Sequence, residues 1–217
     1  MPRPAELYLV ITPGAKAADC LAVALEAATI ASVLIRGANG QGVTLGEAAP
    51  LVELAQRHGA AALVAGSLEL ARRLGADGIH VPTSGDVVEQ MVQLREKAGT
   101  KFAIGAEAGP SRHVAMELGE AGVDYVAFGL AQGDIDQAQD ARADLVGWWA
   151  EIFEVPCVAF DVTSGLEAEE LALLGADFIA VTLDIESTAA ATRDQILAIA
   201  GAIAEAAATG DEAHAQA

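Results

Sequence analysis

One phrase occurs three times in this chain, and it constrains the fold more than any other feature. The copies read Leu74-Gly-Ala-Asp-Gly-Ile-His-Val81, Gly119-Glu-Ala-Gly-Val-Asp-Tyr-Val-Ala-Phe128 and Leu174-Gly-Ala-Asp-Phe-Ile-Ala-Val181. Each copy predicts a helix that ends at a glycine, a turn that contains an aspartate, and a short apolar strand. The sequence therefore predicts a fold built from repeated βα units.

Short apolar runs along the chain have the near-continuous hydrophobicity of parallel strands that are buried on both faces. Eight runs are predicted as strands: Leu7–Ile11, Ser32–Arg36, Ala61–Ala65, Gly78–Val81, Phe102–Ala106, Tyr125–Gly129, Cys157–Phe160 and Phe178–Val181. Segments with helical apolar spacing separate them: Ala18–Ala28, Leu45–His58, Leu68–Leu74, Val87–Ala98, Arg112–Leu118, Ala141–Ile152, Leu166–Leu174 and Ala189–Ala207. This number of units predicts an α/β fold, a single (β/α)8 TIM barrel, although a doubly wound open sheet has the same local pattern.

The length and composition are those of one domain. A chain of 217 residues with 53% hydrophobic residues can bury one sizeable core. We predict a barrel domain over residues 1–208. Residues 209–217 show no periodic pattern and predict a disordered C-terminal tail.

The charge of the chain limits its partners. It has 12 Lys and Arg against 31 Asp and Glu, a net charge of −19, which repels nucleic acid and anionic lipid. Neither partner is expected, and no apolar run is long enough for a membrane span. Without a signal-peptide pattern, the predicted location is cytoplasmic. Cys20 and Cys157 are not spaced as in a metal-binding or redox motif such as CxxC, so both are predicted to be buried free thiols.

The reactive side chains of such a barrel come from the C-terminal ends of the strands and the loops that follow. Four residues there are candidates for binding a small-molecule substrate: Arg36, His80, Asp161 and Thr182. A guanidinium such as that of Arg36 can hold a phosphate or carboxylate through two hydrogen bonds. An imidazole such as that of His80 can carry a proton near neutral pH. The structural alternatives are a rim ion pair for Arg36 and a hydrogen-bonded place inside the barrel for His80.

Carboxylates at the same end are candidate metal ligands. Asp86 is the predicted metal ligand. Asp161 and Asp184 could complete a cluster of the hard oxygen ligands that suit Mg²⁺ or Ca²⁺. The alternative is that these carboxylates are simply solvated. Asp134 and Asp136 lie in a polar segment that predicts a flexible solvated loop.

Over roughly residues 6–205 the chain resembles the thiamine phosphate synthase and thiazole tautomerase family. Besides the repeated phrase, the matching pieces are Leu7-Tyr-Leu-Val-Ile-Thr12 and Val155-Pro-Cys-Val-Ala159. The resemblance implies a TIM barrel of thiamine metabolism. It also implies a transferase reaction that joins a hydroxymethylpyrimidine diphosphate to a thiazole phosphate and releases diphosphate, with Mg²⁺ as cofactor.

The chain departs from the family at the motifs that carry this chemistry. The Gln-Leu-Arg motif with its following Lys reads Leu34-Ile35-Arg36-Gly37-Ala38, which keeps only the arginine. At the metal ligands, the family's Asn-Asp pair falls on Ala65-Gly66, and its second metal-binding Asp falls on Gly85, beside Asp86. At the phosphate ligands, the family's Thr-Pro-Thr-Lys motif falls on Leu130-Ala-Gln-Gly-Asp134, and its Gly-Gly pair falls on Asp161-Val162. The Ser that follows the last strand in the family falls on Leu183. The comparison with the family motifs therefore predicts a degenerate active site in which catalysis is weakened or lost, and Mg²⁺ is expected only if the chain is active.

Two other functions stay open at this point. One is an active synthase in which Arg36, Asp86 and Arg112 replace the usual residues. The other is a non-catalytic barrel that binds a cationic ligand such as thiamine, with Phe128, Phe160 and Phe178 as the aromatic residues near strand positions. The side chains of the adjacent Trp148 and Trp149 cannot face the same way on a helix, so one is predicted to lie in the core and the other to be exposed or in a subunit interface. A homodimer is therefore one expectation.

Overall fold

Eight parallel strands close into a barrel in chain order. The computed structural model describes residues 4–38, 41–82, 87–100 and 102–215. The strands are β1 (Glu6–Ile11), β2 (Ser32–Ile35), β3 (Ala61–Ala65), β4 (Gly78–Val81), β5 (Ala103–Glu107), β6 (Tyr125–Phe128), β7 (Cys157–Ala159) and β8 (Phe178–Thr182). Each strand pairs with the next, and β8 pairs with β1. The prediction of a single (β/α)8 barrel is confirmed.

A helix follows each strand and packs on the outside of the barrel. The helices are α1 (Ala17–Ala27), α2 (Leu45–Arg57), α3 (Leu68–Leu74), α4 (Val87–Ala98), α5 (Arg112–Glu120), α6 (Ile135–Ile152), α7 (Gly165–Leu173) and α8 (Ala189–Ala215). Helix α6 begins earlier than predicted because the Asp134 side chain accepts a hydrogen bond from the Gln137 N–H at 3.2 Å and caps it. Asp136 therefore lies in the first helical turn and not in a loop. Helix α8 continues past residue 208, the predicted end of the barrel domain.

The N-terminal end of the barrel, here called the base, is held by a repeated aspartate clamp. Asp77, Asp124 and Asp177 each precede an even-numbered strand, and each carboxylate accepts a backbone N–H from the neighbouring odd-numbered strand. The donors are Ala62 at 2.8 Å, Ile104 at 2.7 Å and Cys157 at 2.8 Å. The backbone N–H of each aspartate returns a bond to the carbonyl of the same partner. The predicted turn residues thus also fix the register of three strand pairs.

The apolar core has two parts. The larger part lies between the strands and the surrounding helices and includes the buried Trp149. The smaller part fills the barrel interior with side chains that include Tyr8, Leu34, Tyr125 and Phe160. The prediction of one core tryptophan is confirmed by Trp149, whereas Trp148 is partly buried and packs against the same core.

Both cysteines are buried and free, as predicted. Burial raises the pKa of the Cys157 thiol to about 12, so it stays protonated at neutral pH. Within the described ranges, no helix has the length and apolar character needed to cross a membrane.

Candidate active site

A chain of polar side chains runs through the barrel interior to the C-terminal end, here called the mouth. The Tyr8 and Tyr125 hydroxyls lie 2.9 Å apart, and the Tyr125 hydroxyl lies 2.9 Å from His80 Nδ1. His80 Nε2 lies 3.4 Å from Glu107 Oε1, and the same oxygen lies 3.6 Å from an Arg36 Nη1. Strands β1, β4, β5 and β6 and the end of β2 thus contribute to one connected network.

Burial sets the protonation of the two tyrosines. It raises the pKa of both Tyr8 and Tyr125 above the ordinary value, so both are neutral phenols. One direction of hydrogen bonding satisfies every group. Tyr8 donates to Tyr125, Tyr125 donates to His80 Nδ1, and a proton on Nε2 of His80 points at the Glu107 carboxylate. A bare Nε2 would instead face a negative charge.

The members of the network differ in access to the mouth. His80 is only 1% exposed and sits between the Tyr125 and Phe160 rings. The side chains of Glu107 and Arg36 are 23% and 33% exposed, so both reach the mouth. The Arg36 guanidinium also lies 5.9 Å from the Phe160 ring centroid. Arg36 is therefore both ion-paired and placed where a ligand can reach it, and His80 is enclosed beneath it.

Asp161 follows β7 in a backbone conformation that glycine adopts more easily. It is the non-glycine residue with a positive φ, 63°, in the described part of the chain. Its Oδ2 accepts the Leu130 N–H at 3.1 Å, so the carboxylate joins the loop after β7 to the loop after β6. A backbone N–H at this end of the barrel is thus occupied by a side-chain carboxylate.

A buried ion pair behind this loop had no signal in the sequence. The Arg142 side chain in α6 donates to Glu167 Oε1 in α7 and, at 2.5 Å, to the Phe160 carbonyl. Glu167 Oε2 accepts the Thr163 N–H at 2.8 Å. Burial acts to raise the pKa of Glu167, but the bonds from Thr163 and Arg142 outweigh it and lower the pKa. The pair therefore braces the loop on both sides of Asp161.

The remaining candidates at the mouth have different surroundings. Thr182 ends β8 beside Val10 and is exposed. Lys16 forms an exposed ion pair with Glu186 at 2.6 Å. The Arg112 guanidinium lies 4.9 Å from the ring centroid of Trp148, so this cation is directed onto the outer helix α6. Of Lys16, Arg36 and Arg112, Arg36 is the one that joins the interior network.

The three phenylalanines considered for stacking are not arranged as an aromatic platform. Phe128 packs against Trp149 in the outer core, and Phe178 begins β8 at the base and lies beside Tyr8. Phe160 is 2% exposed. These three rings therefore offer little exposed aromatic surface on which a flat heterocycle could stack at the mouth.

The described residues do not bring a metal-binding cluster together. No group of three or more His, Cys, Asp or Glu side chains in ranges 4–38, 41–82, 87–100 and 102–210 is arranged to hold an ion. Asp161 and Asp184 do not belong to such a group within these ranges. Asp86, the predicted metal ligand, lies outside the described residues.

Two surface cavities lie apart from the polar network. One, of about 800 Å³, lies between α3 and α4 and is lined in part by Arg72, Arg73 and Lys97. The other, of about 510 Å³, lies at the base where α6, α7 and α8 end. Neither is lined by Arg36, His80, Glu107 or Asp161. We place the candidate site at the mouth because the convergent polar groups are there.

The closed barrel places this chain in the class of (β/α)8 TIM-barrel proteins, whose enzymes carry their active sites at the mouth. The family profile described as thiamine monophosphate synthase matches residues 7–185. This chain belongs to that family.

Individual relatives agree with this assignment. A thiamine-phosphate synthase of Erythrobacter litoralis is 40% identical over 139 residues, 62% of this chain and 64% of the relative, just under two thirds of its length. A thiamine-phosphate synthase of Rhodospirillum centenum is 34% identical over 181 residues, 81% of this chain and 86% of the relative. The solved thiamine phosphate pyrophosphorylase from Pyrococcus furiosus superposes with a TM-score of 0.71 at 21% identity over 93% of this chain and 96% of that one, which shows the shared fold.

Proposed function

We propose that the mouth of this barrel binds a small-molecule ligand of thiamine metabolism and that the Mg²⁺-dependent condensation of thiamine phosphate synthases is weakened or lost. Family membership and the relatives named as thiamine-phosphate synthases support the ligand class. Arg36 supplies the cation for an anionic group of the ligand. The single observation that carries the loss is the position of Asp161.

Asp161 places a negative charge where the family uses two glycines to hold a phosphate. The exposed backbone N–H groups of such a loop are the usual donors to an anion. Here the Leu130 N–H donates to the Asp161 carboxylate. A second unit negative charge about 4 Å away would be opposed by roughly 4 kcal/mol at an effective dielectric constant of about 20. This exceeds the typical contribution of one charged hydrogen bond, about 1.5–3 kcal/mol.

The metal requirement of the family is a separate matter from the phosphate site. Mg²⁺ needs near-octahedral oxygen ligands, commonly one or two carboxylates together with substrate phosphates. In the described residues 4–38, 41–82, 87–100 and 102–210, no group of three or more His, Cys, Asp or Glu side chains is arranged to hold an ion. We therefore derive no catalytic step through a metal ion.

Turnover by the full chain tests the proposal. With Mg²⁺, the hydroxymethylpyrimidine diphosphate and the thiazole phosphate, we expect a kcat/KM for thiamine phosphate formation below about 10² M⁻¹s⁻¹. The low end for ordinary enzymes is about 10⁴ M⁻¹s⁻¹. Turnover at or above that value would overturn the loss of catalysis and favour an active synthase with displaced residues.

Charge removal at Asp161 tests the stated cause. Asp161→Asn and Asp161→Gly should both bind inorganic diphosphate at least about tenfold more tightly than the wild type, measured by calorimetry, because each removes the repulsion. Glu120→Gln is the matched control, since it removes one negative charge at the end of α5 near the base. Equal affinities in all four proteins would show that Asp161 does not exclude the anion.

A further inference from the structure

The surface cavity between α3 and α4 lies apart from the polar network of the mouth. Its volume is about 800 Å³, and Gly66 and Ser67 of the loop after β3 line part of it. Helix α3 has seven residues and α4 has 12, so α3 is about 8 Å shorter at a rise of about 1.5 Å per residue. This difference in length accounts for a groove between the two helices, here called the α3–α4 groove. Its volume is in the range of small-molecule sites.

The charge of this groove differs from that of the rest of the chain. Residues 57–101 hold six of the 12 Lys and Arg but five of the 31 Asp and Glu, so this segment is close to neutral in a chain of net charge −19. Three of these cations, Arg72, Arg73 and Lys97, line the groove. Among the described lining residues they face one carboxylate, that of Glu69. The groove is therefore a positive surface on an acidic protein and attracts anions locally.

The fold makes little use of two of these cations. Arg73 and Lys97 are exposed, and in the part of the chain that the structure describes no carboxylate lies within ion-pairing distance of either. Arg95 in the last turn of α4 shows the contrast, because its guanidinium donates to three backbone carbonyls and pairs with Asp124 at 2.6 Å. Arg95 therefore holds the fold, whereas Arg73 and Lys97 are accessible to a ligand.

Compensation of the helix dipoles does not explain why the cations are here. Cations near a helix C-terminus are stabilising, but the last turns of α1, α5, α6 and α7 carry none. Arg72 makes one bond to the fold: its Nη2 donates to the Lys97 carbonyl at 2.6 Å and ties α3 to the end of α4. This bond fixes the guanidinium beside the groove and uses only one of its five N–H donors.

Apolar side chains complete the groove. Leu68 and Leu94 line it, and both pack against the main core. We propose that the α3–α4 groove binds a phosphorylated small molecule with an apolar ring, such as a nucleoside polyphosphate, whose phosphates contact Arg72, Arg73 and Lys97. Guanidinium groups bind phosphate through paired hydrogen bonds, and ammonium groups bind it as point charges. The inference does not depend on the function proposed for the mouth.

Calorimetric titration of the full chain with ATP tests the groove, without Mg²⁺ so that the phosphates keep their charge. We expect a Kd below about 1 mM that weakens as NaCl rises from about 50 to about 300 mM, because the cations are exposed and screened. Arg73→Gln and Lys97→Gln should each weaken binding by about two- to fivefold, and together by about tenfold. Arg57→Gln is the matched control, since it removes a cation at the end of α2 outside the groove and should change the affinity by less than about twofold. Unchanged melting temperatures would show that each variant is folded.

Two further probes separate the parts of the ligand. Inorganic triphosphate lacks the ring and should bind several-fold more weakly than ATP, because it buries no apolar surface on Leu68 and Leu94. Adenosine lacks the phosphates and should bind more weakly still. Equal affinities for ATP and inorganic triphosphate would show that the groove does not recognise the ring.

Four results would overturn the inference. The first is a wild type that does not bind ATP at about 5 mM. The second is wild-type affinity in the double variant of Arg73 and Lys97, which would mean that these cations do not hold the phosphates. The third is a loss of affinity in Arg36→Gln, which would place ATP in the mouth. The fourth is a Glu-rich peptide that binds as tightly as ATP, which would make the groove a surface for an acidic protein segment.

Discussion

The two ends of this barrel use the same residue type in different ways. At the base, Asp177 accepts the N–H of Cys157, which is the fully buried first residue of β7. At the mouth, Asp161 accepts the N–H of Leu130, which lies in a half-buried loop. The base aspartate recurs with the repeated phrase and fixes strand register. The mouth aspartate occurs once, in a strained backbone, and alters what the site can bind.

The difference shows which contacts hold the fold and which define the site. Base contacts join neighbouring strands and repeat around the barrel. Mouth contacts join β2, β4, β5 and the loop after β7, which are distant in sequence. We expect substitutions of the base aspartates to change stability alone, and substitutions of the partly exposed mouth side chains Arg36 and Asp161 to change binding with little effect on stability. The buried pair of Arg142 and Glu167 behind the mouth loop belongs with the contacts that hold the fold.

The largest effect on stability is expected at the buried ion pair between Arg142 and Glu167, which supports the loop after β7. Arg142→Met leaves the Glu167 carboxylate buried without its cation, and breaking such a pair costs about 3–5 kcal/mol of the free energy of unfolding. Replacing both residues, Arg142→Met with Glu167→Leu, should cost much less because no charge is left unpaired. Urea denaturation of the three proteins measures this, and equal losses in the single and double variants would contradict it.

A smaller loss is expected at the base clamp. Asp177→Ala leaves the buried Cys157 N–H without its acceptor, which costs about 1–3 kcal/mol. Asp177→Asn keeps an acceptor oxygen and should lose less. Denaturation midpoints report the difference, and ligand affinity at the mouth should not change in either variant. A change in affinity would break the proposed separation between the two ends.

Lowering the pH should weaken the ion pair between Arg142 and Glu167. The pKa of Glu167 in the folded state is lowered from its ordinary value near 4.5. A lowered folded pKa gives a contribution that is complete above the unfolded value and is lost as pH falls through the folded value. As pH falls from about 5 through the ordinary value near 4.5 and below, the wild type should therefore lose more stability than the Arg142→Met, Glu167→Leu variant does. Parallel losses would show that the pair does not respond to acid.

The smallest stability effect is expected at Asp161. Asp161→Gly relieves a left-handed backbone that costs a non-glycine residue about 1 kcal/mol or more. It also removes one hydrogen bond to a half-buried N–H and adds the entropy of glycine, each worth about 0.5–1 kcal/mol. Because these terms nearly cancel, the denaturation midpoint should change little. A loss as large as that of Asp177→Ala would mean that the mouth aspartate also holds the fold.

The sequence by itself determined the barrel. Its strands are continuous apolar runs, its helices carry their own apolar spacing and caps, and the repeated phrase marks three junctions; these signals are local and act within a few residues. The predicted start of α6 was too late because the capping role of Asp134 depends on where the following residues turn, and between Asp134 and Ala141 only Ile135 and Ala138 are apolar.

Only the tertiary structure decided how the mouth is assembled. The sequence placed Arg36, His80 and Asp161 near the strand ends, but it did not indicate that Glu107 lies between Arg36 and His80. It also gave no sign of the pair formed by Arg142 and Glu167. Strand-end position follows from local pattern, whereas the partner of a charge depends on which strands and helices the closed barrel brings side by side.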